Sequence, residues 1–223
     1  PPHPPPPPPP TTKPPSTTPQ HQPSSKPAWM AFTGPHCMRQ TANDRVPLMQ
    51  QAEVSVGILS DTHGYIHPGV LDQVNRCDVI VHAGDICGSA VLEQLKPVNG
   101  QLIAVRGNND VKQTWDNKGQ YRLSDLSDEL QVELPGGTLS VIHGHQYWGL
   151  DDPQSAILSH FPGSRAVVYG HSHYVQHEMV GDCWLLNPGA AGKRLNRGAS
   201  SCLVMQASHR GWHVKLHRFE DSD

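Results

Sequence analysis

The 223-residue sequence predicts an α/β fold of two packed β-sheets with helices outside, and three observations carry that expectation. Five apolar runs, "VSVGILSD", "VIVHAGD", "LIAVRGN", "LSVIHGH" and "AVVYGHSH", each pass through β-branched or aliphatic residues and stop at Gly, Asp, Asn or His. The first three are separated by segments with apolar residues at helical spacing. After Asp110 the connections shorten to Gly-containing turns. Runs long enough to be buried on both faces suit parallel strands, and short turns suit hairpins, so the change of grammar implies a second sheet.

In chain order, "VSVGILSD" begins the first strand at Val54 and "PGVLDQVNR" forms a helix for which Pro68 is a suitable first residue. "VIVHAGD" is the second strand and "SAVLEQLK" a second helix opened by Ser89. "LIAVRGN" closes a strand, helix, strand, helix, strand series, which requires a parallel sheet. "LQVEL" and "TLSVI" then flank Pro135-Gly136-Gly137 as a hairpin, and "PQSAILSHF" reads as a helix. "YVQHEMV" and "CWLLN" flank Gly181-Asp182 as another hairpin, and "SCLVMQAS" and "WHVKLHRF" add two strands. The polar ends of the strands should meet at their carboxyl edge, where open α/β sheets bind ligands.

Composition sets the limits. Of 22 prolines, 14 fall in residues 1–27 among Thr, Ser, Gln and His, so residues 1–53 are expected to be a disordered Pro-rich extension. Residues 54–219 are expected to form one domain, followed by an acidic end at 220–223. The five cysteines show no close-spaced pairs, which fits a reducing cytoplasm. No stretch approaches the roughly 20 apolar residues of a membrane span, and a soluble protein without a membrane partner is expected. From Val54 onward 13 Lys plus Arg face 18 Asp plus Glu, a balance that argues against broad nucleic-acid binding. Only "GKRLNR", residues 192–197, is locally basic; it could meet a substrate anion, although a solvated loop is the plainer reading.

The strand ends carry the chemistry. Asp61 and His63 in "SDTHG" are two apart, so in an extended segment both side chains point the same way, and His171 and His173 in "GHSH" repeat that spacing. Asp85 from "HAGD", an Asn from "GNND" and His143 from "HGH" complete a set of carboxylate, amide and imidazole donors. These suit two divalent transition metals bridged by Asp85. Taken singly each piece is weak: an Asp-x-His is more often a turn, and 15 histidines guarantee some accidental pairs. All five occur in order, each directly after an apolar run.

In these blocks, Asp61 to His63, Gly84-Asp85, Gly107 to Asp110, His143 to His145 and Gly170 to His173, the sequence resembles the calcineurin-like metallophosphoesterases. The "NPGA" at Asn187 to Ala190 resembles a loop of the compact bacterial and archaeal phosphodiesterase branch. The resemblance implies a four-layer α/β/β/α sandwich of two mixed β-sheets flanked by helices. It implies that Asp61, His63, Asp85 and His173 hold one metal and that Asp85, Asn108, His143 and His171 hold the other. Asn109, Asp110 and His145 are the candidate catalytic positions beside them; Asn109 stands where many members of the wider family carry His.

Two divalent ions bring four positive charges, Asp61 and Asp85 return two, and a bridging hydroxide leaves the site net positive, suited to a phosphate ester and to its transition state. The expected activity is therefore phosphodiester hydrolysis by in-line attack of the hydroxide on a small phosphate-ester substrate. Mixed nitrogen and oxygen donors favour Mn, Fe, Co, Ni or Zn over Ca or Mg, with Mn the working choice, partly from the resemblance. The competing expectation is a non-catalytic protein-binding scaffold of the same fold, like the retromer subunit that has lost part of the ligand set. All seven ligand positions are present, which favours the enzyme. Substrate identity and oligomeric state are not encoded in any of these motifs.

Overall fold

The computed structural model describes residues 48–116, 119–192 and 199–220. The Pro-rich stretch up to position 47, residues 193–198 of the basic segment and the acidic residues 221–223 lie outside them. In the first sheet, β1 (Glu53–Leu59), β2 (Val79–His82) and β3 (Gln101–Ala104) run parallel, joined through α1 (Pro68–Val74) and α2 (Ser89–Gln94). α3 (Gln120–Asp125) leads into the antiparallel hairpin of β4 (Glu129–Leu134) and β5 (Gly137–Ile142). α4 (Pro153–His160) returns the chain to β6 (Ala166–Val168), and β7 (Val175–Val180) with β8 (Cys183–Pro188) makes another hairpin. β9 (Ser200–Ser208) and β10 (Gly211–Phe219) close the fold. The sheet orders are β10-β9-β1-β2-β3 and β4-β5-β6-β8-β7.

Helix starts follow local chemistry. Pro68 opens α1 without a wasted N–H, and the His67 ring accepts from Gly69 N at 3.1 Å. Asp152 does the same for α4, accepting from Ser155 N at 3.0 Å ahead of Pro153. α3 is the helix the apolar spacing did not announce: only Leu123 of its six residues is buried.

Strand periodicity then sorts side chains into layers. Val54, Val56, Ile58, Val79 and Val81 face Leu139, Val141, Val168 and Leu186 across the space between the sheets. Ile80 points the other way, into a layer with Val70, Val74, Val91 and Leu92 of α1 and α2. On the far side, Val167 and Leu185 meet Ile157 and Phe161 at α4. The result is the expected four-layer sandwich. Each fully buried Val, Leu or Ile contributes roughly 1.5–3 kcal/mol to holding these layers together. Leu48, in a 3-10 turn ahead of β1, packs on the layer between the sheets, so the packed chain reaches upstream of Val54. Among the described residues no helix is long and apolar enough to cross a membrane.

Candidate metal centre

The loops after β1, β2 and β3 and those after β5 and β6 meet at one rim. Backbone bonds zip the first two together: Asp61 N donates to Gly84 O at 3.0 Å and His63 N to Asp85 O at 3.0 Å. Two bonds cross between the sheets, one joining the His143 Nδ1 and Ala83 O at 2.8 Å, the other from His171 N to Asp61 Oδ2 at 3.1 Å.

Asp61, His63, Asp85, His171 and His173 all have positive φ, between 46° and 66°. The expectation that Asp61/His63 and His171/His173 converge as alternate residues of an extended segment is therefore corrected. β1 ends at Leu59 and β6 at Val168, and left-handed turns beyond them aim the side chains. For non-glycine residues such backbone costs about 1 kcal/mol or more apiece and persists where surrounding bonds over-determine it.

Two clusters result. Around the first, His173 Nε2 lies 3.2 Å from Asp61 Oδ1 and 3.4 Å from His63 Nε2. Around the second, Asn108 Oδ1 lies 3.2 Å from His143 Nε2 and 3.1 Å from His171 Nδ1. Asp85 Oδ2 sits between them, 3.8 Å from His63 Nε2 and 3.4 Å from His143 Nε2. Asp61, His63 and His173 form one set of donors close enough for a single ion, and Asp61, Asp85 and His143 form another. All seven expected ligands are brought together. The centre has little room for side chains among its supports: a Cβ on Gly107 would fall 2.1 Å from Asp85 Oδ1, and one on Gly170 would fall 2.9 Å from Asp61 Oδ2.

Electrostatics follow from this crowding. Burial works to raise the Asp85 pKa, but hydrogen bonds from His143 and Asn109 outweigh it and hold the carboxyl below its ordinary range. Burial works to lower the His143 pKa, and its hydrogen bond to Asp85 with the nearby Asp61 charge outweighs that, so it is raised. Burial and then His143 push His171 and His145 down. Asp61 Oδ1 is buried without a hydrogen-bond partner, an expensive state for a carboxylate oxygen that a cation would relieve.

The three candidate catalytic positions separate. Asn109 stands at the centre: its N–H donates to Asp85 Oδ1 at 2.8 Å and its amide to Asp85 Oδ2 at 2.6 Å. His145 is adjacent, its ring centroid 5.5 Å from that of His143, with a buried, unpartnered Nδ1. Asp110 is bound up in the loops. Its carboxylate accepts from Ile86 N (3.2 Å), Cys87 N (2.8 Å), Gly107 N (2.9 Å) and Trp115 Nε1 (3.0 Å), tying the β2 loop to the β3 loop.

Three further residues support the candidate ligand loops. His82 is buried beneath the β1 loop, 3.0 Å from Thr62 Oγ1, so it supports the residue between Asp61 and His63. Asn187 donates to Gly170 O at 2.8 Å and Ser172 Oγ at 3.1 Å, so the "NPGA" loop positions the "GHSH" loop. Trp148 meets the His171 ring edge-on, centroids 5.1 Å apart. The aromatic "YW" directly after "HGHQ" was the available signal for the last.

Comparison with known proteins agrees with this fold. The calcineurin-like phosphoesterase superfamily domain matches residues 54–210. A phosphodiesterase of Methanocaldococcus jannaschii is 29% identical over 147 residues, spanning 61% of this chain and 83% of the relative. Among solved structures, an archaeal phosphodiesterase superposes with a TM-score of 0.55 at 25% identity, covering 73% of this chain and 99% of that one. Vacuolar Protein Sorting 29 from Cryptosporidium parvum gives a TM-score of 0.60 at 16% identity over 77% of this chain and 100% of that one, a likeness of fold alone.

Proposed function

The chain belongs to the calcineurin-like phosphoesterase superfamily, and from that membership we propose that it is a phosphodiesterase working with two divalent transition metals, Mn as the working choice. Asp61, His63, Asp85 and His173 would hold one ion, and Asp85, Asn108, His143 and His171 the other. The observation that carries this reading is the position of Asp85 Oδ2 between the two clusters, 3.8 and 3.4 Å from a histidine nitrogen of each. The unpartnered Asp61 Oδ1 fits a cation, and the donor set is oxygen and imidazole. Cys87 Sγ, 3.8 Å from His63 Nδ1, is pushed up to about 12 by burial and nearby carboxylates and stays a thiol.

Two such ions supply Lewis-acid polarisation of the phosphoryl oxygens and a water acidic enough to attack at neutral pH. The residues do the rest. Ala83 O engages His143 Nδ1 and so leaves Nε2 facing the centre, and the His171 N–H engages Asp61 Oδ2 and leaves Oδ1 facing it. Asn109 holds Asp85 by its main-chain N–H and by one amide hydrogen, which leaves the second amide hydrogen to bond an ester oxygen; it cannot protonate one. The test strips the protein with chelator and reloads Mn, Fe, Co, Ni or Zn separately. Metal content and hydrolysis of bis(4-nitrophenyl) phosphate are then measured. Two ions per chain with turnover are expected; no turnover on any diester, with or without bound metal, would overturn the phosphodiesterase reading and favour the non-catalytic scaffold.

A further inference from the structure

β7 is the edge strand of the second sheet, and Gln176 and Glu178 alternate along it at strand spacing after Tyr174. α4 spans only eight residues and packs through Ile157 and Phe161 on Val167 and Leu185 of β6 and β8. Beside it lies a cavity of about 470 Å³ lined by Trp148, Gln154, Tyr169, Tyr174, Gln176 and Glu178. Ser172, between His171 and His173, is also in its wall, and Trp148 touches the His171 ring. The cavity therefore adjoins the loop that carries His171 and His173.

Its chemistry is selective. Trp148 and Tyr174, both in its wall, are 39% and 54% exposed. Along its wall, Gln154 Nε2 donates to Gln176 Oε1 at 3.0 Å, Tyr169 Oη donates to the same oxygen, and Gln176 Nε2 donates to Glu178 Oε1. The exposed Glu178 carboxylate keeps acceptor capacity, and among the described residues the wall adds Val175 and His177 but no Lys or Arg. A second phosphate or a carboxylate would meet the Glu178 carboxylate with no Lys or Arg among the described lining residues to offset it. A flat uncharged ring with an amino group would stack on the aromatic faces and donate to the carboxylate. Resting on the phosphodiesterase reading, we propose that this groove receives the planar, amino-bearing heteroaromatic group of the diester's non-leaving alcohol, the chemistry of an adenine or cytosine base.

The test compares the 4-nitrophenyl ester of adenosine 5′-monophosphate with 4-nitrophenyl methyl phosphate. Both release the same phenolate, so the ratio of their kcat/KM values reads the other ester group alone. Wild type should prefer the adenosine ester by about tenfold or more. The ratio should fall toward one in Tyr174→Ala and drop in Glu178→Ala, both exposed positions where truncation spares the core. Independently of turnover, adenosine 5′-monophosphate should quench tryptophan emission in wild type and not in Trp148→Phe. Equal kcat/KM values in wild type, or a preference untouched by Tyr174→Ala, overturn the groove and leave the phosphodiesterase reading standing. Quenching that depends on Trp148 while neither ester turns over would retain the groove and sink the phosphodiesterase reading; neither signal would remove both.

Discussion

Asp85 uses both carboxylate oxygens at once: Oδ1 and Oδ2 accept from the Asn109 N–H and amide, and Oδ2 also faces His63 and His143. An amide at this position would set an NH2 group against one of the Asn109 donors as well as remove one of two anionic ligands. Asp85→Asn is therefore expected to lower metal content and turnover together, on the order of 100-fold or more in activity, and more than any single histidine change. A variant that kept two tightly bound ions and near-normal diesterase activity would sink the bridging assignment. Asn109 supports a second expectation. Because an amide donates a hydrogen bond but no proton, rates should fall steeply as the leaving group's pKa rises, and Asn109→His should flatten that dependence. A series of diesters at saturating metal checks it; a flat wild-type series with chemistry rate-limiting would refute it.

At the scale of the element, the loop after β3 is fitted to the loop after β2 with no space between them. Gly107 backs directly onto Asp85, where a Cβ would stand 2.1 Å from Oδ1 and 2.4 Å from the backbone nitrogen. Gly107→Ala should consequently displace Asp85 and cost metal affinity while the sheets, whose core lies between Val56, Val81, Val141 and Val168, keep their circular dichroism. Unchanged metal stoichiometry and affinity in that variant would show that the loop yields more easily than the contacts imply. The strand runs were readable because burial on both faces leaves a continuous apolar signature, as in Val79–His82, where every residue is buried. The left-handed turns were not, because Asp and His favour positive φ too weakly to announce it and adopt it here under bonds from other strands.

For the whole molecule, the two sheets close over polar groups as well as apolar ones. His82 is fully buried, and burial pushes its pKa down to about 4 against the opposing pull of Asp110 and Asp61. A histidine whose folded pKa is depressed stabilises the fold above its unfolded pKa of about 6.5 and loses that contribution as pH falls toward the folded value. The metal-free protein should thus weaken between about pH 6.5 and 4, by an amount on the order of a few kcal/mol from this group. The raised His143 acts in the opposite direction, so the comparison must isolate His82. Urea midpoints of wild type and His82→Gln across that range do so: the variant's curve should be flatter, and parallel curves would discount the buried imidazole.

The α/β class, the parallel opening, the hairpins and the donor types of the candidate ligands were legible in the sequence itself, because apolar period, turn residues and donor atoms are local properties, with Asn108 singled out by the family resemblance. The tertiary structure alone decided that β9 and β10 leave the second sheet to join β1, and that β6 runs parallel between β5 and β8. It also decided that Asp110 ties loops together, that His82 and Asn187 support the ligand loops, and that Trp148 and Tyr174 open a groove beside them. These depend on which strands pair and how loops from different strands pack. Free energy of that kind resides in contacts between residues far apart in the chain, such as His171 and Asp61, 110 positions from each other, which no window of local sequence contains.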